Sequence, residues 1–85
     1  MAKITARDLA DAQRMRRLAE SGAARAFREL AGLSQENIAA AIPTTPSAVS
    51  RWETNRRVPR VASAARWYRV LVQAGAIPAK ESIRV

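Results

Sequence analysis

The chain has 85 residues, no cysteine and no histidine, and 15 Lys and Arg against 7 Asp and Glu, which gives a net charge of +8. This length predicts one domain near the lower limit for a self-sufficient core, and the missing residue types exclude disulfides, thiolate chemistry and the common zinc sites. No apolar run approaches the roughly 20 residues of a membrane span and the N-terminus lacks the apolar core of a signal peptide, so we expect a cytoplasmic protein.

The segment from Thr5 to Ser21 is predicted to be a helix, because good helix formers fill it and Thr5 and Asp8 have nearly capping-box spacing. Its apolar stripe is weak, since a cation interrupts it at Arg16. The apolar positions are Leu9, Ala12 and Ala19, and the nearby basic cluster is Arg14, Arg16 and Arg17. Three roles stay open for this helix: loose packing on the domain, contact with phosphates, and contact with a second copy. Residues 1–3 are expected to fray.

The next predicted helix runs from residue 23 to residue 31. A break or weak joint is expected at Gly22, although one long helix through it remains an alternative, and Gly32 is a natural C-terminal stop. Leu33 is expected to pack inward after that stop. The inward positions of the helix are predicted to be Ala23, Phe27, Leu30 and Ala31.

Two short helices with a tight turn between them are predicted for residues 34–53. Ser34 can cap the first helix, whose inner face carries Ile38, Ala39 and Ile42, and Pro43 stops it. Thr45 can cap the second helix, with Pro46 at the first helical position. The inner face of this second helix carries Val49 and Trp52, whereas its outer face carries Ser47, Ser50 and Arg51.

A last helix is predicted to start at Pro59, after a basic loop in which Val58 turns inward, and to end at Gly75. Its inner stripe would be Val61, Ala64 or Ala65, Tyr68 and Leu71. Trp67 and Val70 fall near the edge of that stripe, so we expect them to be exposed and available to a partner. The tail at residues 76–85 has a hinge at Pro78, and residues 82–85 would add a strand across a dimer or be disordered.

The run GLSQENIAAAIPTTPSAVSRWETNRRVP at residues 32–59 resembles the helix-turn-helix of the Cro and phage-repressor family, without a gap. The resemblance implies an all-α fold: a compact five-helix lambda-repressor-like domain at residues 23–75, with an additional N-terminal helix at residues 1–22 and a tail at residues 76–85. It also implies an ion pair between Arg28 and Glu53, which links the first helix of the domain to the end of the recognition helix.

The resemblance implies that residues 45–53 form the recognition helix and lie in the major groove of double-stranded DNA. The arginine-rich charge excess suits such a polyanion, although a GC-rich genome also raises the Ala and Arg content. The residues implied to face bases are Thr45, Pro46, Ser47, Ser50 and Arg51, with Arg51 the strongest candidate to read guanine. The residues implied to contact phosphates are Gln35, Thr44, Asn55, Arg56 and Arg57, with Arg60 a weaker candidate. Gln35 would also brace the recognition helix, while Trp52, Tyr68 and Phe27 belong to the core.

Two prolines depart from the family pattern. Pro46 stands where many relatives carry a base-reading polar side chain, so direct readout would be sparse. Pro43 stands where the family usually has a Gly with a positive backbone angle that Pro cannot adopt. We therefore expect the first motif helix to end earlier or the angle between the two helices to change. Asn55, by contrast, replaces a Gly with the next-best residue for a left-handed helix end.

The function implied is transcriptional regulation in a bacterium or phage, most simply repression by blocking polymerase. A dimer on a two-fold operator is the default for this class, and a monomer stays open. The alternative from another class is an interaction module such as an antitoxin, which would need an unpaired apolar face around Trp67, Val70 and Val72. A membrane-surface role for the N-terminal helix is weaker, because it lacks aromatic anchors. We expect no catalysis, cofactor, metal or small-molecule substrate.

Overall fold

The computed structural model describes residues 3–77, which form five α-helices and no strand. The all-α prediction is confirmed: one helix lies in the N-terminal segment and four lie in residues 23–75. The predictions for Met1, for Ala2 and for the tail beyond Ile77 lie outside the described residues. The helices are α1 (Ala6–Ser21), α2 (Ala23–Leu30), α3 (Gln35–Ala41), α4 (Pro46–Glu53) and α5 (Val61–Gln73).

Short polar side chains start three of the helices, as their spacing predicted. The Thr5 hydroxyl accepts from the backbone N–H of Asp8 at 3.0 Å, and the Asp8 carboxylate accepts from the Thr5 N–H at 3.0 Å, which completes a capping box. Ser34 forms the same reciprocal arrangement with Asn37 at the start of α3. The Thr45 hydroxyl caps α4 through the N–H of Ala48.

The last helix begins two residues later than predicted, at Val61 rather than Pro59. Pro59 is buried, and its carbonyl oxygen accepts a hydrogen bond from the Arg16 guanidinium. Arg60 keeps an extended backbone, with ψ at 160°, so the chain turns into α5 only after it. Helix α5 therefore starts just after the segment that is hydrogen-bonded to α1 through the Pro59 carbonyl.

Left-handed residues end the helices. Gly22, with φ at +87°, separates α1 from α2, so the single long helix is not formed. Asn55, with φ at +62°, ends α4 as predicted. The N–H groups of Asn55 and Arg56 then donate to the carbonyls of Trp52 and Arg51, which is a Schellman motif.

The structure gives Pro43 a positive φ, contrary to expectation, whereas the expected change in the end of α3 or in the angle between α3 and α4 stays a prediction. Pro43 takes the left-handed place itself, with φ at +34°, and the Thr44 N–H donates to the Ala39 carbonyl at 2.9 Å, as in the Schellman motif. Ile42 is buried just before it and Thr45 caps α4 just after it, so both ends of the turn are fixed.

The core lies between α1 and α5, which run antiparallel. Met15 of α1 and Leu71 of α5 are both 0% exposed, so α1 packs tightly rather than loosely. Leu9, expected on the inner face, is 50% exposed and stands at the position of a hydrophobic staple with Ile4. The inner face carries Asp11 instead, whose carboxylate accepts from the Arg69 guanidinium at 3.0 Å. An acid can be buried there because α5 supplies its partner.

The expectation that Trp67 is exposed is wrong, because the residue is 0% exposed. Its ring lies 5.2 Å from that of Trp52, at an angle of 41°, and joins α5 to α4. Val70 and Val72 are half-buried against the same core. Among residues 3–77, helix α5 packs against α1 and its Trp67 contacts Trp52 of α4, so most of the apolar face that the antitoxin alternative needs is covered.

Two further expectations about burial are wrong. Leu30 is 84% exposed and Ala31 is also exposed, because α2 turns Ala24 and Arg28 inward instead. Val58 is 70% exposed, since its neighbour Pro59 fills the inward place. Half-buried Phe27 and Leu33 pack against the core as expected, as do buried Trp52 and Tyr68.

Candidate nucleic-acid interface

Helix α4 has one buried face and one face turned to solvent. Val49, Trp52 and Glu53 are buried. The outward residues are Pro46, Ser47 and Arg51, which are exposed, and Ser50, which is half-buried. The outer side of α4 is thus polar and carries one long cation, while its inner side is anchored in the core.

A buried ion pair fixes the C-terminal end of α4. The Glu53 carboxylate accepts from Nε of Arg28 at 2.6 Å and from Nη2 of Arg28 at 3.1 Å. Nη1 of Arg28 donates to the Leu33 carbonyl at 2.8 Å. The hydrogen bond with Glu53 raises the pKa of Arg28, so the buried guanidinium stays charged. The predicted link between α2 and the recognition helix is confirmed.

Gln35 connects the start of α3 to the same pair. Its side-chain amide donates to Oε1 of Glu53 at 3.1 Å. The bracing role implied by the resemblance is therefore present, while its contact with a phosphate stays a prediction. One carboxylate holds side chains from α2 and α3, which makes the orientation of α4 depend on both helices.

The loop after α4 holds two arginines against the end of that helix. The backbone N–H groups of Arg56 and Arg57 both donate to the Arg51 carbonyl, at 2.9 and 3.2 Å. Their side chains are exposed, as is that of Arg60. The backbone of the loop is thus fixed while its guanidinium groups reach into solvent.

Arg51 stands between two surface depressions. The residues that border the first are Ser47, Ser50, Arg51, Thr54 and Arg56. The second lies between α4, the loop and the start of α5, and Arg57 and Arg60 border it together with Arg51. The structure therefore brings five of the predicted residues onto one surface around Arg51, namely Ser47, Ser50, Arg56, Arg57 and Arg60.

The remaining predicted residues lie at the edges of this surface. Thr45 is exposed at the first turn of α4, but its hydroxyl already caps the helix. Thr44 is half-buried in the turn before it, and Asn55 is exposed in the turn after α4. Their contacts with DNA stay predictions.

Sequence reasoning missed Thr54. Its hydroxyl donates to the Ser50 carbonyl at 2.9 Å and it borders the first depression. The spacing of residues 47, 50, 51 and 54 continues one helical face past the end of α4, so periodicity could have found it.

The charge of this surface is one-sided. Between Thr44 and Ile77 the only acidic residue is Glu53, which is buried and paired with Arg28. The arginines at positions 51, 56, 57 and 60 form no ion pair with any residue in the described range 3–77. Exposed guanidinium groups without acidic neighbours favour a polyanion such as a phosphate backbone.

Two other kinds of site find no support within residues 3–77. No cluster of acidic side chains there could hold a metal ion. None of the five helices combines the length and the apolar character that crossing a bilayer requires.

Comparison with protein families finds that a helix-turn-helix model matches residues 25–71, which are more than half of the chain. The match contains all of α3 and α4 and most of α2 and α5, whereas α1 lies outside it. Comparison with curated proteins and with solved structures gave no match.

Proposed function

The chain belongs to the Cro/repressor-type helix-turn-helix family of DNA-binding regulators, and we propose that it represses transcription by binding a specific operator through α4. The observation that carries the proposal is the outer face of α4, with a buried ion pair behind it and, around it, four arginines that pair with no acid in residues 3–77. Such a helix can lie in a major groove of DNA while the arginines of the loop contact the phosphate backbone of the duplex. Binding over a promoter would block polymerase.

Each side of the surface has its own task in this proposal. Arg51 donates two hydrogen bonds to O6 and N7 of a guanine, and the apolar ring of Pro46 contacts a thymine methyl. The hydroxyls of Ser47 and Ser50 read neighbouring base edges. These contacts are few, so part of the specificity would come from the shape of the DNA.

Phosphate contacts fix the register of α4 on the duplex. We propose Arg56 and Arg57 as the main contacts, with Gln35, Thr44 and Asn55 around the ends of α3 and α4. The protein would act in the cytoplasm of a bacterium, as a host or phage regulator, on the nucleoid. A homodimer on a two-fold operator would place two α4 helices one turn of DNA apart.

The proposal is tested by selecting binding sites from random duplex DNA with the wild type and measuring affinity for the selected site. Arg51→Ala should lose roughly 1 to 3 kcal/mol of discrimination between selected and random DNA, about 5- to 150-fold. Arg66→Ala is the matched control, because Arg66 is an exposed arginine on α5 outside the proposed surface. Selection that yields no preferred sequence, or an equal loss in both variants, would contradict the proposal.

A further inference from the structure

Arg16 joins α1 to the loop that precedes α5. Its Nη2 donates to the Pro59 carbonyl at 2.7 Å, a contact between residues 43 positions apart. The side chain is half-buried, and Nε is buried without a hydrogen-bond partner in residues 3–77. Arg16 thus reaches from the helix outside the family match into the segment that carries the loop arginines.

The guanidinium group lies beneath that loop. Arg16 borders one small cavity together with Trp52 of α4 and with Asn55, Arg57 and Pro59 of the loop. The loop is therefore held at two points: the N–H groups of Arg56 and Arg57 are bonded to the end of α4, and the Pro59 carbonyl is bonded to α1. Between these points the side chains of Arg56 and Arg57 face solvent.

Two effects on folding stability oppose each other at Arg16. The buried Nε–H without a partner costs free energy, which a methionine of similar length would avoid. The hydrogen bond from Nη2 to the Pro59 carbonyl stabilises the fold, and a methionine would leave that carbonyl without this partner. Arg17, the next residue, is exposed and makes no hydrogen bond with another described residue.

We propose that Arg16 is a positioning residue for DNA binding, which holds the loop at residues 54–60 so that its arginines meet the phosphates. The inference rests on the proposed function, in which the loop arginines contact DNA phosphates. It gives α1 a part in the DNA interface without requiring that α1 touch DNA.

The first test compares Arg16→Met with Arg17→Met, which removes the same charge from the same helix. Affinity for the selected DNA site is measured at several salt concentrations, under conditions where urea titration shows each variant to be fully folded. Losing one phosphate contact makes the slope of log K against log salt shallower by about 0.9, which is about eightfold in affinity at 0.1 M salt. We expect this change for Arg16→Met beyond any change for Arg17→Met, and a partial recovery for Arg16→Lys.

A double-mutant cycle separates positioning from general damage. If Arg16 acts through the loop, Arg16→Met should weaken binding much less in a background where Arg56 and Arg57 are already alanine. An equal loss in both backgrounds would overturn the proposal, as would equal affinities for Arg16→Met and Arg17→Met.

Amide hydrogen exchange tests, in the absence of DNA, whether Arg16 holds the loop. Arg16→Met should speed exchange at the Arg56 and Arg57 amides relative to Arg17→Met and leave α3 unchanged, and Arg16→Lys serves if the methionine variant does not fold. Unchanged exchange at these amides would overturn the proposal. A wild type that binds no DNA would overturn the proposed function and the DNA role of Arg16, while the exchange rates would still decide whether Arg16 holds the loop.

Discussion

Removing the charge of Glu53 should destabilise the protein more than any comparable change at its surface. Only 1% of the Glu53 side chain is exposed, and its carboxylate accepts from two nitrogens of Arg28 and from Gln35. Glu53→Gln keeps the shape but removes the buried counter-charge of the Arg28 guanidinium, which then keeps only the half-exposed Glu29 carboxylate, 3.8 Å from its Nη2. Breaking a buried pair from one side costs about 3 to 5 kcal/mol.

That cost is a large share of the total. At about 0.05 to 0.15 kcal/mol per residue, a chain of this length has an unfolding free energy of roughly 4 to 13 kcal/mol. The melting temperature should fall by at least about 12 °C, since each kcal/mol corresponds to about 4 to 8 °C in a domain of this size. Urea titration followed by tryptophan fluorescence measures the loss, because Trp52 and Trp67 are both buried.

Glu29→Gln is the matched control for this measurement. Glu29 pairs with Arg25 at 3.0 Å and lies 3.8 Å from Nη2 of Arg28, but more than half of its side chain is exposed, so removing its charge should cost less than about 1 kcal/mol. The double variant Arg28→Met, Glu53→Leu should recover part of the loss, because no charge is then stranded. An equal cost for Glu53→Gln and Glu29→Gln would refute the reasoning.

One further prediction concerns the first helix. The Thr5 backbone N–H, and then Arg69, lowers the pKa of Asp8 below its ordinary value of 3.8. The stabilisation by the Asp8 carboxylate is therefore fully present above pH 3.8 and is lost as the pH falls through the pKa of the folded state. At neutral pH the unfolding free energy of the wild type should exceed that of Asp8→Asn, and this gap should close as the pH is lowered. A constant gap would contradict this.

Local signals predicted the helix boundaries well. Ser34, Thr45 and Asn55 act within three or four residues of themselves, so their effect on a helix end can be read without knowing the rest of the fold. The ion pair of Arg28 with Glu53 was reachable only through the resemblance, because the two residues lie 25 positions apart.

The errors arose where a distant segment decides the outcome. Trp67 lies at the edge of one apolar stripe, but α1 and Trp52 extend the buried surface around α5 beyond that stripe. Periodicity also favours Leu30 over Arg28 as an inward residue, and only the carboxylate of Glu53 reverses that order. Pro43 shows the opposite case, in which the positions of two flanking helices override the preference of a single residue.

The pairing of α1 with α5 has a consequence for synthesis on the ribosome. Helix α1 is made before α5 and packs against it, so Met15 has no full set of neighbours until α5 has left the exit tunnel. The intervening helices can form their turns earlier, but the core closes only when residues some 60 positions apart meet, as Asp8 and Arg69 do. A chain that stops within α5 would therefore leave the inner face of α1 open to chaperones and proteases.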